Sequence, residues 1–452
     1  MSTTIPGKQF TFPKGHTFHT EDGQAYTVTG FLGRGGQGEA YRVQGAGGEY
    51  AVKFYNQKFA HSRFAEQFRK NIQRNVDNGV PQLSSGDSAT QFIWPMRMIR
   101  PEKGSFGYLM NLFPMGYESF GNVIMKSKKD PDTGDRIPVR WKSWFTCVTA
   151  ALNLVRAFEI LHASGLSYQD LNEGGFSFDM NTGNVVICDC DNVAPDGVNL
   201  GILGVVNYMA PEAVCRKTLP NRHTDEYSLA VILFRLFLGG HPMEGRESRS
   251  LHNDESLSRT EADSIIYGKQ PHYCLASYHN NNLPDPQLHA DVIRQCLRYP
   301  LVLMDAFEQV FTEGVGDPSR RLTATEWRKV LLEVRDSLVL VDGQEQFFGL
   351  RKAKPLPPSC RTLVYPHGRR VLCMPGKILY RYHLDEYGTD FKTPVAKIIP
   401  TNRSDVIGLY NSTGADIPFY AEGKTGLCRQ QSRMPLLPGM ELKFGHTTIR
   451  VE

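Results

Sequence analysis

The chain has 452 residues, which at roughly 150 residues per domain corresponds to about three folded units, or to one two-lobed enzyme with a smaller appendage. The 51 Lys and Arg residues against 47 Asp and Glu residues leave a net charge of +4, which is too dilute over this length for a dedicated nucleic-acid-binding protein. With 40% hydrophobic and 22% charged residues, the composition is globular rather than disordered.

Features of membrane or secreted proteins are missing from the sequence. The longest helical apolar stretch, Leu229 to Phe234, is interrupted by Arg235 and is far shorter than the ~18 apolar residues that a membrane span needs. The N-terminal residues lack the apolar core of a secretory signal, and Ser2 excludes myristoylation. The nine cysteines are an odd number without a C-x-x-C pair. We therefore expect a cytoplasmic protein that meets no membrane.

The N-terminal part is predicted to be rich in strands. Residues 25 to 55 contain three strand-like runs that are separated by glycine turns. Phe64, Phe68, Ile72 and Val76 recur at helical spacing and predict a helix after the third strand. Further strands are expected at 91–99 and 107–113.

Helices dominate the following part of the chain, and they are predicted at about 141–164, 223–238, 289–313 and 323–337. The polar stretch 244–286 is expected to be a long loop with some helix. Strands first and helices later indicate an α+β protein of two lobes with a cleft between them.

A proline-rich segment, K-A-K-P-L-P-P, predicts a domain boundary. Beyond it, strand-like runs alternate with turn residues, which predicts a small all-β domain. The predicted domains are an N-lobe at 22–114, a C-lobe at 115–340, a linker at 341–358 and the β-domain at 359–452.

A glycine-rich turn lies between the first two strands. It reads G-R-G-G-Q-G, with Gly33, Gly35 and Gly38, and Lys53 follows on the third strand. The glycines alone are equally compatible with an ordinary hairpin. Together with a lysine on the next strand, they are suited to close backbone N–H groups over phosphates. Apolar neighbours indicate that Lys53 is partly buried and needs a partner, for which Glu66 on the next helix is the candidate; the alternative is that Glu66 is a surface charge.

Two aspartates lie on either side of a predicted hairpin. Asp170 and Asp189 are 19 positions apart, with a turn at Asn181 to Gly183 between them. Two carboxylates at one end of a hairpin suit a reaction in which one accepts a hydroxyl proton and the other holds Mg²⁺ against a triphosphate.

The ordered set of motifs resembles the eukaryotic-like protein kinase fold over about residues 22 to 340. The set consists of the glycine-rich loop, A-V-K, Y-Q-D-L-N, I-C-D-C-D, A-P-E, T-D-E-Y-S-L-A-V and D-P-S-R-R-L-T. The resemblance implies an ATP- and Mg²⁺-dependent Ser/Thr protein kinase, with Mn²⁺ as an alternative metal.

The resemblance also implies a role for each matching residue. Lys53 would contact the phosphates and pair with Glu66, Asp170 would be the catalytic base, and Asp189 would bind the metal. Asp225 would brace the catalytic loop, and Glu212 would pair with Arg321. The adenine would lie along a hinge formed by Met110, Asn111, Leu112 and Phe113.

The chain departs from the kinase pattern at several positions. The usual His-Arg before the catalytic Asp is Tyr168-Gln169, the usual Lys after it is Asn172, and a metal-binding Asn is replaced by Gly175; Asp-Phe-Gly reads Asp-Cys-Asp at 189–191, and Val205 stands where a hydroxyl residue is expected. These losses leave a nucleotide-binding pseudokinase scaffold and a nucleotidyl transferase open as alternatives. Asp191, helped by Asn172, could replace the missing metal ligand, or it could only cap the following segment.

The variant motifs D-L-N-E-G-G and I-C-D-C-D-N-V resemble a bacterial kinase subgroup that occurs beside von Willebrand-type A-domain proteins and metal-dependent phosphatases in tellurium-resistance-like stress systems. This resemblance implies those proteins as partners, besides a protein substrate.

The C-terminal part resembles a degenerate forkhead-associated-like β-sandwich, through L-L-P-G-M-E-L-K-F-G-H-T-T-I-R-V and I-G-L-Y-N-S-T-G. The pairs Arg403-Ser404 and Asn411-Ser412 are not arranged as a phosphothreonine reader needs, which favours a structural or protein-docking domain. Cys360, Cys373 and His367 do not have the spacing of zinc ligands, so no structural metal is predicted.

Overall fold

The computed structural model describes residues 11–81, 90–202, 204–276, 281–350, 355–366, 368–384 and 390–452. The chain divides into two compact units. The first contains Met1–Lys142, Thr149–Val292 and Phe307–Thr325, and the second contains Ser143–Val148, Ile293–Ala306 and Glu326–Glu452.

The strands, in chain order, are β1 Thr17–His19, β2 Ala25–Arg34, β3 Gly38–Gly45, β4 Gly48–Tyr55, β5 Thr90–Phe92, β6 Arg97–Glu102, β7 Ser105–Asn111, β8 Glu118–Ser119, β9 Ser127–Lys129, β10 Arg136–Pro138, β11 Leu166–Ser167, β12 Phe176–Phe178, β13 Val185–Ile187, β14 Ala194–Pro195, β15 Leu338–Val341, β16 Gln344–Phe347, β17 Arg361–Val364, β18 Arg370–Cys373, β19 Ile378–Tyr380, β20 Pro394–Pro400, β21 Ile407–Asn411, β22 Ile417–Ala421, β23 Lys424–Cys428, β24 Arg433–Leu436, β25 Glu441–Phe444 and β26 Thr447–Val451.

The α-helices are α1 Gln57–Ala60, α2 Ala65–Asn78, α3 Phe120–Met125, α4 Trp144–Ala163, α5 Pro211–Val214, α6 Arg222–Leu238, α7 Arg246–His252, α8 Arg259–Ser264, α9 Ala290–Cys296, α10 Leu301–Phe311, α11 Glu313–Gly316 and α12 Ala324–Asp336. The three strands predicted over 25–55 and the helices predicted near 64, 141, 223 and 323 agree with β2–β4, α2, α4, α6 and α12.

The N-terminal sheet of the first unit is antiparallel and has six strands in the order β1-β2-β3-β4-β7-β6. Successive side chains of β4 point to opposite faces of the sheet and pack into different apolar clusters. Val52 and Phe54 pack into one apolar cluster, whereas Tyr55 belongs to a second cluster that includes Phe68 of α2. Because residues two apart share a face of a strand, Lys53 lies on the same face as Tyr55.

Two buried helices, α4 and α6, form the centre of the helical region. The side chain of Asn221 caps α6 in a capping box with Thr224, and the helix ends at Gly239 in the left-handed conformation. Among the described residues, α4 passes a length and composition test for a membrane span, but 78% of its most apolar window is buried in the protein. That burial is what a core helix shows.

The helix expected within the polar stretch 244–286 is present in its described part. It contains α7, α8 and a π-helical turn at Ile265–Lys269. Asn282 is buried, and its side-chain amide donates to the carbonyl oxygens of Met243 and His272 at 3.0 and 2.6 Å. The helix predicted at 289–313 is interrupted between α9 and α10, where Pro300 cannot continue a helix that precedes it.

In the second unit, the all-β prediction for the C-terminal part is confirmed. One sheet has six strands in the order β18-β17-β26-β25-β22-β23, and the other has four in the order β19-β20-β21-β24. Their inward-facing side chains, such as Leu363, Ile398, Leu409, Leu442 and Ile449, form one apolar core. The hairpin β15–β16 extends into the predicted linker 341–358. Residues 351–354 of this linker lie outside the described part of the chain. His367, in the β-domain, also lies outside it.

A buried cluster of charges joins the end of α12 to the β-strands of this second unit. The Asp336 carboxylate accepts from Arg369 Nη2 at 2.6 Å and from His383 Nε2 at 2.9 Å. Lys377 Nζ donates to three backbone carbonyls of the segment 335–338. Helix α12 is therefore held to the β-strands by charged hydrogen bonds, and the boundary of this compact unit precedes the predicted linker.

Candidate active site

Lys53 lies between two carboxylates that follow β13. Its Nζ atom is 2.7 Å from Asp191 Oδ2 and 3.2 Å from Asp189 Oδ1. The exposed fraction of the side chain is 15% for Lys53, 44% for Asp189 and 0% for Asp191. Burial alone would lower the pKa of Lys53, but the charges of Asp191 and Asp189 outweigh it and raise that pKa above its usual value. Lys53 is a fixed cation with one buried and one exposed anion.

The predicted pairing of Lys53 with Glu66 is wrong. The Glu66 side chain is 67% exposed and lies 3.5 Å from Lys70, one helical turn away. The physical reason is the register of α2, whose buried residues include Phe68, Asn71 and Ile72. A residue at position 66 then lies on the solvent face of the helix. The alternative reading of Glu66 as a surface charge describes the structure.

Helix α2 instead presents two asparagines to the segment after β13. The Nδ2 atoms of Asn71 and Asn75 donate to the Val193 carbonyl at 2.8 and 2.9 Å, and Asn71 and Asn75 also reach the carbonyls of Asp191 and Cys190 at 3.3 Å. Both asparagines are buried. Sequence reasoning missed them, although two amides at i,i+4 on an apolar helix face were the available signal.

The Asp191 carboxylate has a second partner on β4. The hydroxyl of Tyr55 donates to Asp191 Oδ2, the same oxygen that Lys53 contacts. Oδ1 of Asp191 is buried and has no hydrogen-bond partner within the described ranges. The backbone reverses here, because Asp189 adopts a left-handed conformation with φ of 46° before the 3-10 turn Cys190–Asn192. This reversal separates the exposed Asp189 from the buried Asp191.

Asp170 occupies the loop between β11 and β12. Its Oδ1 atom accepts a 3.1 Å hydrogen bond from Asn172 Nδ2, while Asn172 Oδ1 accepts from the Gly174 N–H at 2.8 Å. Burial raises the pKa of Asp170, the Asn172 hydrogen bond opposes this rise, and the charge of Asp189 adds to it. A carboxylate with a raised pKa is the better proton acceptor, which suits a general base.

The predicted brace of the catalytic loop is confirmed. Asp225, near the start of α6, accepts from the backbone N–H groups of Tyr168 and Gln169 at 2.7 and 3.2 Å, and His162 Nε2 lies 3.2 Å away. The carboxylate is almost fully buried. Because two consecutive amides are held by one carboxylate, the backbone that precedes Asp170 has little freedom.

Tyr168 and Gly175 fit together. The Tyr168 hydroxyl donates to the Cys188 carbonyl at 2.6 Å, and its ring is fully buried. A Cβ atom at Gly175 would lie 2.7 Å from the Tyr168 hydroxyl oxygen, closer than real Cβ contacts allow. The asparagine expected at 175 is therefore incompatible with this position of the tyrosine.

Gln169 connects the catalytic loop to the segment that leads to A-P-E. Its backbone is left-handed, with φ of 68°, and its Nε2 atom donates to the Val198 carbonyl at 2.7 Å. The neutral Gln169 side chain thus makes a direct hydrogen bond to the segment between Asp189 and Glu212, which is called the activation segment below.

The predicted pair of Glu212 and Arg321 is confirmed. Arg321 donates through Nη1 and Nη2 to the two carboxylate oxygens of Glu212 at 2.7 and 2.8 Å, and Nη1 also donates to the His223 carbonyl at 2.9 Å. The bidentate geometry fixes α5, which contains the end of A-P-E, against the helical region.

The glycines of the loop between β2 and β3 differ in their surroundings. A Cβ atom at Gly38 would lie 2.2 Å from the Phe54 carbonyl oxygen, so only glycine allows β3 and β4 to approach there. Gly33 and Gly35 have nothing within 4 Å of such an atom. The hinge residues Met110 and Asn111 end β7, and Leu112 and Phe113 follow it; their adenine contacts stay a prediction.

The sequence matches the family model described as "Protein kinase domain" over residues 139–310. The fold is a protein kinase fold. The comparison with curated proteins gives 26% identity over 110 residues with Serine/threonine-protein kinase SCH9 of Candida albicans, which covers 24% of this chain and 14% of that protein. With Serine/threonine-protein kinase sck2 of Schizosaccharomyces pombe, the identity is 23% over 262 residues, 56% of this chain and 35% of that one.

The chain is also similar to a further curated kinase and to a solved kinase structure. CBL-interacting protein kinase 3 of Oryza sativa is 31% identical over 106 residues, 22% of this chain and 24% of that protein. The chain thus spans less than half of the length of these curated relatives. Among solved structures, a double mutant of the PknI kinase domain of Mycobacterium tuberculosis has a TM-score of 0.46 and 17% identity, and the match covers 72% of this chain and 100% of that domain.

Proposed function

We propose that this protein transfers the γ-phosphoryl group of ATP to Ser or Thr of a protein substrate. The observation that carries the proposal is the meeting of Lys53 and Asp189 at 3.2 Å, near enough to Asp170, the general base candidate, for their charges to act on its pKa. A cation, a metal-binding carboxylate and a base in one place are the parts that phosphoryl transfer needs. The kinase relatives and the matched family model support the same reaction.

The glycine-rich loop supports a nucleotide as the ligand. The chain itself supplies no steric reason for glycine at positions 33 and 35, and neither residue has a positive φ. The pairing of β2 with β3 is irregular between Phe31 and Gly33, which accounts in part for Gly33. A close approach of a ligand to the backbone is a further reason for residues without side chains. Lys53 would supply the positive charge for the phosphates, and the segment from Met110 to Phe113 would hold the base.

The donor set fits Mg²⁺ that is held mainly by the nucleotide. Within the described ranges, the structure has no group of three or more His, Cys, Asp or Glu side chains that could hold a metal alone. Mg²⁺ typically binds one or two carboxylates and substrate phosphates, keeping several waters, and when bound it would neutralise the charge that develops on the phosphates. The partly exposed Asp189 would be its main protein ligand, with the Asn172 amide oxygen as a second candidate. Mn²⁺ has the same ligand preferences.

Asp170 would accept the proton of the substrate hydroxyl. Its pKa is raised by burial, and Asn172 holds one of its oxygens, so the carboxylate is oriented while it remains a competent base. The proton would move from the substrate oxygen to Asp170 as that oxygen attacks the γ-phosphorus.

We further propose that phosphorylation of the activation segment does not switch this protein. Residues 189–212 contain neither Ser nor Thr, and Gln169 already donates to the Val198 carbonyl at 2.7 Å. This direct hydrogen bond would take the role of the ion pair that a basic residue makes with a loop phosphate in other kinases. Control would then come from a partner or from the C-terminal domain.

The subgroup, location and partners of the protein are proposed from the resemblance of its motifs. We propose a bacterial, cytoplasmic protein of the tellurium-resistance-type stress subgroup, with a von Willebrand-type A-domain protein and a metal-dependent phosphatase as partners; the D-L-N-E-G-G and I-C-D-C-D-N-V motifs support this. The two-sheet C-terminal domain would be a degenerate forkhead-associated-like module that docks a protein.

Transfer from ATP labelled at the γ- or the α-phosphate tests the function. The full chain is incubated with a mixture of candidate protein substrates and Mg²⁺, and Asp170→Asn serves as the inactive control. We expect the wild-type protein to transfer the γ-label but not the α-label, and we expect Asp170→Asn to abolish this transfer. Transfer of the α-label would make the protein a nucleotidyl transferase. Binding of Mg–ATP without transfer of either label would make it a pseudokinase, which the replacement by Gly175 of a metal-binding Asn favours.

A further inference from the structure

We propose that Asp191 is the positioning residue for Lys53, in the place that a carboxylate of helix α2 would otherwise take. The inference rests on the proposed function for its catalytic meaning, since Lys53 matters there as the cation for the phosphates. It reverses the expectation that Asp191 binds metal. Asp191 acts through Lys53 and does not itself touch the nucleotide.

The two carboxylates that Lys53 contacts differ in their exposure to solvent. Asp189 is 44% exposed, so it can exchange its contact with Lys53 for a metal ion. Asp191 is fully buried and closer to Lys53 Nζ, at 2.7 Å. When Asp189 is occupied by the metal, Lys53 still has a fixed anion behind it. One carboxylate therefore serves the metal and the other keeps the lysine in place.

The groups around Asp191 stabilise an anion. Tyr55 donates its hydroxyl to Oδ2, and Tyr55 is itself buried on the same face of β4 as Lys53. A buried carboxylate needs a cation and hydrogen bonds, and Lys53 and Tyr55 supply both. A role in capping the start of the next segment would not need a lysine 138 positions away in the chain.

Helix α2 meets the segment around Asp191 through neutral side chains. Its contacts with the segment around Asp191 are made by the amides of Asn71 and Asn75 with backbone carbonyls, which are neutral hydrogen bonds. Of its two acidic residues, Glu66 points to solvent beside Lys70, and Asp77 is exposed and accepts from Gln73. The position of Lys53 is then set by residues 190–193, and α2 contributes by holding that segment.

Chemical labelling of Lys53 tests the pairing without any need for catalysis. The full chain, free of nucleotide, is treated with acetic anhydride at pH 9, and acetylation of Lys53 is followed by peptide mass spectrometry. Only the free amine reacts, and loss of an anion beside an ammonium lowers the pKa of that ammonium. A fall of one pH unit in that pKa corresponds to roughly tenfold more free amine. We expect Asp191→Asn to accelerate labelling about tenfold and Glu66→Gln to leave it within twofold of wild type.

Two outcomes would overturn the proposal: acceleration by Glu66→Gln, or unchanged labelling in a folded Asp191→Asn. Tyr55→Phe is the matched control, because it removes a neighbour of Asp191 but keeps the carboxylate, and it should change labelling by less than threefold. If Asp191→Asn does not fold, Asp191→Ser takes its place, with the same expected acceleration and with unchanged labelling as the result that overturns the proposal. Since no phosphate transfer is measured, a failure of the proposed function leaves this test unaffected.

A kinetic measurement separates positioning from metal binding if γ-label transfer is found. Asp191→Asn should raise the KM for ATP about tenfold and change the half-saturating Mg²⁺ concentration less than threefold, because Lys53 loses its fixed anion while Asp189 is intact. The opposite division, with the larger change in the Mg²⁺ requirement, would assign Asp191 to the metal.

Discussion

Replacing Lys53 by Met should destabilise the folded protein before any nucleotide is added. The substitution is the natural choice for abolishing ATP binding, and at an exposed lysine it would have little effect on stability. Here it leaves the Asp191 carboxylate, which is 0% exposed, without its cation. A buried charge that loses its partner is among the most destabilising changes known for single substitutions.

The magnitude follows from what remains around Asp191. Breaking a buried ion pair by removing one partner costs about 3–5 kcal/mol. The Tyr55 hydroxyl still donates to Oδ2 after the change, which places the expected loss near the lower end, at about 3 kcal/mol. Lys53→Met combined with Asp191→Asn removes both charges, so the double variant should recover about 2 kcal/mol of this loss.

Urea unfolding of wild type, both single variants and the double variant measures the coupling between the two residues. Hydrogen exchange of the amides of β4 reports the transition of the first compact unit separately, since a chain with two units need not unfold in one step. The reasoning is refuted if Lys53→Met lies within about 0.5 kcal/mol of wild type, or if the two single effects simply add. A loss of Mg–ATP binding in Lys53→Met is interpretable only at temperatures where the variant is folded.

Two further predictions follow from other contacts. Gln169→Ala removes the hydrogen bond to the Val198 carbonyl, so γ-phosphoryl transfer should fall about tenfold, which corresponds to about 1.4 kcal/mol. Phosphatase treatment of the wild-type protein should leave its activity unchanged. A drop in activity after that treatment would contradict the proposal that phosphorylation does not regulate the protein. Burial lowers the pKa of His383 to about 4 against the attraction of Asp336, so the unfolded chain binds a proton first as pH falls. The free energy of unfolding of the second unit should therefore drop by about 2 kcal/mol between pH 7 and pH 5, and His383→Gln should remove that part of the slope in urea titrations at the two pH values.

The regular elements could be predicted from the sequence because they depend on local patterns. Helix α2 has its apolar residues at helical spacing, and β2 to β4 are separated by glycine turns. The pairs Glu212–Arg321 and Asp225 with the catalytic loop were also predictable, since they belong to motifs whose residues have fixed roles. Each is present with hydrogen bonds of 2.7 Å.

The partner of Lys53 could not be predicted in the same way. Spacing on α2 shows which face of the helix is buried, but it does not show which side chain on that face meets a residue of a distant strand. The motif comparison favoured Glu66 because it was the carboxylate on the expected helix, and Asp191 was assigned to the metal because it follows Asp189 by two positions. The left-handed backbone at Asp189 turns the two carboxylates to different depths, and no sequence pattern encodes that turn for a non-glycine residue.

The second unit shows a similar limit. Proline clusters at 352–358 indicated a boundary, but the hairpin β15–β16 before them was missed, although Asp342-Gly343 between two short strand-like runs is a hairpin signal. The charge cluster at Asp336 depends on residues that are more than 30 positions apart, such as Arg369 and His383. Such tertiary ion pairs leave no local periodicity that could predict them.

The departures from the kinase pattern come with structural compensation. Gly175 leaves room for Tyr168, whose hydroxyl holds the Cys188 carbonyl. Gln169 replaces a charged contact by a direct hydrogen bond, and Asp191 supplies Lys53 with the anion that helix α2 does not provide. These contacts keep this part of the fold packed whether the site transfers a phosphoryl group or only binds a nucleotide, so Asp170 is the residue on which the distinction from a pseudokinase depends.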